Sequence, residues 1–315
     1  MTATHDTLSP ESETAAVASA APVQTRASRL RDFWSDFCRA PVAVLSLVVI
    51  LVLAFVSFGA PLVSPQDPYD MAALDWMDAF LRPGTVGSGG YTHWLGTDNA
   101  GRDMLSAIFY GLRTSFVIGL SAGALALLVG ICVGLSAAYF GGRLESLLMR
   151  IVDLQLSMPA ILLALVLVAM LGQGLGQIIL ALVVAQYAYF ARTTHGAATV
   201  ERGKDYIEAA RSTPLPARRV LFRHLLPNVL PPLIVVATVQ VASAIALEAT
   251  LSFLGVGLPL TEPSLGSLIS NGFKYIHTDR TWLSIYPGVF LMVTVVAINL
   301  VGDQVRHVLD PRNQR

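Results

Sequence analysis

The sequence predicts an all-α membrane protein built on six transmembrane helices. Three observations carry that expectation. First, only 13% of the 315 residues are charged, where a soluble domain carries about 25%, and the mean hydropathy is +0.61. Second, six apolar runs, at 41–62, 114–139, 151–171, 176–197, 229–251 and 283–302, each come close to the ~20 residues a helix needs to cross the hydrocarbon core. Third, the cations segregate. With the N-terminus placed inside, sixteen of the 21 Lys and Arg residues fall on the inner side, and Arg82, Arg102, Arg113, Lys274 and Arg280 fall outside. That bias puts both termini on the cytoplasmic side.

Residues 1–25, rich in Ala, Ser, Thr and Glu, are expected to be a disordered tail. The next segment, 26–40, contains "ASRLRDFWSDF", in which Leu30, Phe33, Trp34 and Phe37 recur at helical spacing between arginines. This pattern predicts an amphipathic helix lying on the inner membrane surface. The six-span domain follows over 41–302, with outer loops at 63–113 and 255–282, an inner loop at 198–228 and an inner tail at 303–315. The fourth run is the weakest, because Gln186 interrupts its apolar core. No cleavable signal peptide is expected, since the polar leader is too long for one and the first run is membrane length. Cys38 and Cys132 lie in a juxtamembrane segment and a span, and imply neither a disulfide framework nor a metal site.

The first outer loop contains "HWLGTDNAGRDMLSAIFYGLRTS". Asp98 is expected to cap a short helix presenting Met104, Leu105, Ile108 and Phe109 on one face. His93, Asp98 and Asp103 match no metal-ligand spacing. The second outer loop is rich in turn residues and is expected to fold back toward the mouth of the bundle. No internal repeat is present.

The spans are almost free of charge. Asp153, Arg192, Glu248 and Asp303 stand near span ends, where snorkelling or pairing at the interface is expected. That leaves no proton relay or ion site of the kind ion-coupled transporters bury at mid-membrane. Uncharged polar residues do lie inside: Gln186, Gln240, Ser243 and Asn299. Gln240 and Ser243 are three apart and share a helix face. Two roles fit these four residues, a polar lining for a translocation path or hydrogen bonds between helices, and for any single residue the second is expected. The chain has no phosphate-binding glycine loop followed by Lys-Ser/Thr and no HExxH. It is therefore read as a non-enzyme with no nucleotide site or cofactor of its own.

The inner loop is organised. Residues 202–211 can be helical, Pro214 and Pro216 enforce a break, and a second short helix is expected from Pro216, with Val220, Leu221 and Leu225 on one side and Pro227 as its end. A basic loop that only sets topology needs no such helix–break–helix, so a docking role is expected. This segment resembles the Glu-Ala-Ala loop of bacterial ABC importer permeases. Glu208-Ala209-Ala210 and Leu226-Pro227 stand at the pattern's spacing, while Pro214 replaces its Gly and His224 its Ile. "FRHLLPN", "HWLGTDNAGRDMLS", "EATLSFLGVGLP", "YPGVFL" and "NLVGDQVRHVLDPR" resemble the dipeptide/oligopeptide/nickel permeases of that family, and their order is similar to the "C" type of a heteromeric pair.

The resemblance implies a type I ABC importer permease fold and an ATP-driven import of di- or oligopeptides, with nickel, glutathione or another small solute as the alternative. It implies four kinds of partner: a "B"-type permease, two ATPase subunits that bind ATP and Mg, a periplasmic or lipid-anchored solute-binding protein, and membrane lipid. No nucleic acid is implied. Coupling to the ATPases falls to Glu208, Ala209, Ala210, Pro214, Leu226 and Pro227. A self-sufficient secondary transporter is the reading from another class, and the missing midplane charges speak against it.

Overall fold

The computed structural model describes residues 26–68, 70, 74–205, 207, 216–259 and 262–309. The tail expected at 1–25 lies outside the described residues, and so do Glu208, Ala209, Ala210 and Pro214.

Helix α1 (Arg26–Cys38) is the expected amphipathic segment. Phe37 is buried with Ala43 and Val308, and Phe33 packs beside them, while Trp34 stays exposed. The Gln304 amide donates to the Asp36 carbonyl at 3.4 Å. The helix is thereby fixed to the feet of the first and last spans.

Helix α2 (Pro41–Phe58) opens with proline at its first turn, where a missing N–H costs nothing. It is apolar on all sides, and Leu45, Leu51 and Phe55 are exposed, as suits a helix solvated by lipid. One further turn, α3 (Ala60–Val63), follows. The chain then crosses a loop carrying a 3₁₀ turn at Trp76–Asp78 and a two-stranded ribbon. In the ribbon, β1 (Thr85–Val86) pairs antiparallel with β2 (Thr92–His93), Thr85 opposite His93.

Helix α4 (Met104–Phe140) has 37 residues. At 1.5 Å per residue it is about 55 Å long, well beyond the ~30 Å core, so its first turns stand in the outer loop expected at 63–113. The run expected at 151–171 is not one straight span. It forms α5 (Gly142–Leu156) and α6 (Ala160–Leu171), bent by 92°. The cause sits between them. Pro159 has no N–H to continue the ladder and pushes Met158 out of helical geometry. Among the described residues, five helices are long and apolar enough to cross a membrane, and the bent pair makes a sixth if it is one span.

Helix α7 (Leu175–Arg202) leads to the segment at 203–216. Helix α8 then runs without a stop from Ala217 to Phe253. The expected end at Pro227 is therefore corrected: the second short helix and the fifth span are one helix. Its register changes through a π segment at Val220–Leu225. The wider turn gives room to a proline ring that would clash with the carbonyl four residues back in an α-helix. A short helix, α9 (Leu265–Phe273), folds back over the bundle before α10 (Trp282–Leu309) returns.

Both described chain ends meet at one end of the bundle, called proximal here. The α4–α5 turn, the end of α7 and the start of α8 gather there as well. The opposite, distal end carries a cap in which the two long loops interlock. Phe80 meets Tyr275 edge-on at 5.0 Å, Arg280 lies 3.7 Å above the Phe80 ring, and Arg82 pairs with Asp279.

The core is centred on α4. Its glycines at 119, 123, 130 and 134 form two Gly-xxx-Gly pairs. The distal pair faces α8: a Cβ at Gly119 would lie 2.7 Å from Ile245 and one at Gly123 2.9 Å from Val241. The proximal pair faces α7: a Cβ at Gly130 would lie 2.8 Å from the Tyr187 carbonyl oxygen and one at Gly134 2.5 Å from that of Ala191. Small residues let helix backbones approach closely where lipid offers no hydrophobic drive for packing.

Candidate functional site

The proximal end holds the candidate coupling segment. Ile207, just beyond the end of α7, is fully buried among Ala198, Phe190, Leu221, Leu225 and Leu233. Val220, Leu221 and Leu225 are buried on one face, as their spacing predicts. The opposite face presents Arg218, Arg219, Phe222, Arg223 and Pro227 to the exterior, while Leu226 is half-buried. The face thus carries one exposed aromatic side chain and three guanidinium groups, which are planar donors able to pair with carboxylates.

Ion pairs brace the helices around it. His195 Nε2 lies 2.7 Å from Glu145 Oε1 and joins α7 to α5. Arg192 and Asp153 pair at 3.0 Å, as expected for charged groups at span ends. Arg202 donates to the Ala138 carbonyl at 2.6 Å and ties the last turn of α7 to the end of α4. The exposed Arg192–Asp153 pair contributes only about 0–1 kcal/mol. The value of these contacts here is geometric, since they fix the end of α7 against α5 and α4.

Inside the bundle, Gln186 on α7 and Gln240 on α8 are both buried. Gln186 Nε2 donates to the Gln240 carbonyl at 3.3 Å. Within this chain, Gln186 Oε1 and Gln240 Nε2 have no hydrogen-bond partner among the described residues. Ser243 and Asn299 are half-buried. Replacing Gln186 by Leu removes one hydrogen bond and one unmatched buried acceptor together. The expected change in thermal stability is therefore within about 1 kcal/mol, measured by unfolding of the purified protein. A much larger loss would show a partner for Oε1 beyond the described residues.

The "LGTDNAGRD" stretch builds the distal cap, and each residue type has a reason. His93 is fully buried and its Nδ1 donates to Asp103 Oδ1 at 3.0 Å. Asp103 also accepts from the Ser106 amide at 2.8 Å, so it is Asp103, and not Asp98, that caps α4. Asp98 instead closes a tight turn, accepting from the amides of Ala100 at 2.8 Å and Arg102 at 2.9 Å. Burial pushes the Asp98 carboxyl above its ordinary range, against those two amides and the Arg102 charge. Thr97 accepts from the Leu81 amide at 2.7 Å and donates to the Asp78 carbonyl. Gly96 and Gly101 have φ of 78° and 77°, a region where only glycine is unstrained. The motif is thus a knot that anchors the loop to the first turn of α4.

Glu248 departs from expectation. It does not snorkel but is fully buried between helices. The signal available in the sequence is Ser252, one helical turn on from Glu248 between Leu251 and Phe253, a hydroxyl that a buried carboxyl can use.

The architecture and these sites define a class: an integral-membrane permease with the type I ABC importer fold. The family profile "Binding-protein-dependent transport system inner membrane component" matches residues 130–315, and "N-terminal TM domain of oligopeptide transport permease C" matches residues 28–83. The chain belongs to the binding-protein-dependent transport permease family. It is 37% identical over 287 residues to the di/tripeptide transport system permease protein DppC of Pseudomonas aeruginosa, covering 90% of this chain and 93% of that one. The dipeptide transport system permease protein DppC of Escherichia coli K12 is also 37% identical, over 284 residues, with 90% and 93% covered. The fold is shared with a chain of the MetNI methionine ABC transporter in inward-facing conformations, with a TM-score of 0.54, 22% identity, and coverage of 66% of this chain and 98% of that one.

Proposed function

We propose that this chain is the "C"-type pore subunit of an ATP-driven importer of di- or oligopeptides. The observation that carries the solute class is the 37% identity to dipeptide permeases over 90% of the chain. The chain forms half of a translocation path, completed by a "B"-type permease. A solute-binding protein delivers peptide to the distal cap, which faces the periplasm, while both termini face the cytoplasm. Two ATPase subunits bind ATP and Mg and dock on 203–227 through Glu208, Ala209, Ala210, Pro214, Leu226 and Pro227. The exposed Arg218, Arg219, Phe222 and Arg223 supply charge and an aromatic anchor on the same surface. Because 203–216 joins α7 directly to α8, a push on it changes how these two helices cross, and Gln186 and Gln240 stand at that crossing. Ser243 and Asn299 complete the proposed polar lining.

The test is purification of the tagged chain in mild detergent, with co-purifying proteins identified by mass, alongside uptake of radiolabelled dialanine. A second permease and one or two ATPases are expected. Glu208→Arg is expected to reduce dialanine uptake to background while the chain still inserts. Recovery of the chain alone across several detergents would overturn the importer reading, and wild-type uptake in Glu208→Arg would overturn the docking role.

A further inference from the structure

The carboxyl of Glu248 sits where three elements meet. Ser115 of α4 donates to Oε2 at 3.2 Å, and Ser252, one turn on in α8, donates to Oε1 at 2.8 Å. The hydroxyl of Ser264, at the start of α9, faces the same carboxyl group. All four side chains are buried, Glu248 and Ser264 at 0% exposure. Among the described residues its partners are hydroxyls alone, with no cation. An ionisable side chain in a membrane span is costly and is kept for a purpose.

The surroundings show what it holds. Ser264 is the N-cap of α9 and forms a reciprocal capping box with Ser267. A Cβ at Gly266 would lie 2.7 Å from the Ala249 Cα, so the first turn of α9 rests on the backbone of α8 beside Glu248. Ser270 then donates to the Phe253 carbonyl at 2.8 Å, and Phe273 meets Phe253 edge-on at 5.8 Å. At its far end α8 begins at Ala217, inside the coupling segment, and it is helical throughout. One helix therefore joins the surface proposed to meet the ATPases to the knot that holds α9.

We propose that Glu248 is a positioning residue that locks α9 and the distal cap to the end of α8, so that a displacement of the coupling segment moves the distal face with it. The knot works through hydrogen bonds and not through charge. A serine hydroxyl can rotate its O–H toward the carboxyl, and Ser115 and Ser252 both donate to it. The inference rests on the importer reading for its first measurement only.

Two readouts test it in the complex purified with its partners. The first is radiolabelled dialanine imported per ATP hydrolysed. Glu248→Ala is expected to lower that ratio about tenfold, the population change that follows loss of one or two buried hydrogen bonds, while Glu248→Gln keeps it within about twofold because three hydroxyls can re-pair with an amide. A merely structural role would lower import and hydrolysis together and leave the ratio unchanged, which would overturn the proposal. The second readout needs no transport. In a Cys38→Ser, Cys132→Ser background, Leu268→Cys places a thiol on the buried face of α9. It is expected to stay protected from a membrane-impermeant maleimide with Glu or Gln at 248 and to react with Ala. Equal protection in all three would overturn the lock, and so would a Gln variant as reactive as Ala. Absence of ATPases from the preparation would count against the importer reading and leave the thiol measurement decisive.

Discussion

Ile207→Asp is expected to abolish uptake while leaving the chain inserted in the membrane. Ile207 is fully buried against Ala198 of α7 and Leu221, Leu225 and Leu233 of α8. It is the described residue between α7 and α8 that packs into this apolar cluster. Among the described residues a carboxylate there would meet an apolar cluster, and burying an unpaired ion costs several kcal/mol. The segment has a cheaper escape, which is to swing the new carboxylate into water and leave its seat. The spans do not depend on that seat, so insertion survives. On the proposed coupling role, what is lost is the contact of Ile207 with α7 and α8. Ile207→Val, which removes one methylene at a cost of about 0.5–1.5 kcal/mol, is expected to retain most uptake. Uptake of labelled dialanine, normalised to the amount of membrane-inserted chain, distinguishes the two. Wild-type uptake in Ile207→Asp would show that the segment is positioned entirely by its partners.

What is legible in the sequence, and what is hidden, follows one physical division. Apolar length is a property of single segments, and it places five spans in agreement with α2, α4, α7, α8 and α10. The differences all concern how segments meet. Pro159 is visible, but whether a proline bends a helix or merely starts one depends on what packs around it, and here it produces a 92° break inside an expected span. Pro227 reads as a stop, yet the structure absorbs it in a π turn because α8 has a continuous buried face on both sides of it. Asp98 and Asp103 are equally good caps by residue type. Only the position of His93, which holds Asp103 at the helix start, decides between them. Nearness to a span end predicts an interfacial Glu248. The back-folded α9 covers that end, so the local depth is set by tertiary packing and not by distance from the terminus. The candidate coupling face at 218–227 is legible as a pattern, because alternation of buried leucines with arginines follows from helical geometry alone.

The largest stability effect is expected from the proximal glycine pair of α4, and it separates two kinds of close packing in one helix. At Gly134 an added Cβ would lie 2.5 Å from the Ala191 carbonyl oxygen and 2.9 Å from the His195 amide nitrogen; at Gly130 it would meet the Ala191 amide and the Tyr187 carbonyl oxygen, each at 2.8 Å. These obstacles are backbone atoms of α7, which cannot rotate away, and the Cβ atoms of Phe190 and Thr194 that stand beside them are fixed by the same backbone. At Gly119 and Gly123 the nearest atoms belong to the side chains of Ile245 and Val241, which can change rotamer. Overpacking typically costs about 1–3 kcal/mol per site and more where nothing yields. The double change Gly130→Ala, Gly134→Ala is therefore expected to consume a large part of the ~5–15 kcal/mol that holds a folded protein together, and to abolish a monodisperse peak in detergent. Gly119→Ala, Gly123→Ala is expected to lower the unfolding temperature and still yield folded chain. Gly196 supplies the control within α7, since nothing lies within 4 Å of its Cβ position. Alanine there is expected to stabilise by up to about 1 kcal/mol through helix propensity alone. The order Gly130/Gly134, then Gly119/Gly123, then Gly196 is the result expected from thermal unfolding. An equal loss for both pairs would mean that α4 can shift as a rigid body away from α7, and that the close approach is a consequence of packing elsewhere and not its cause.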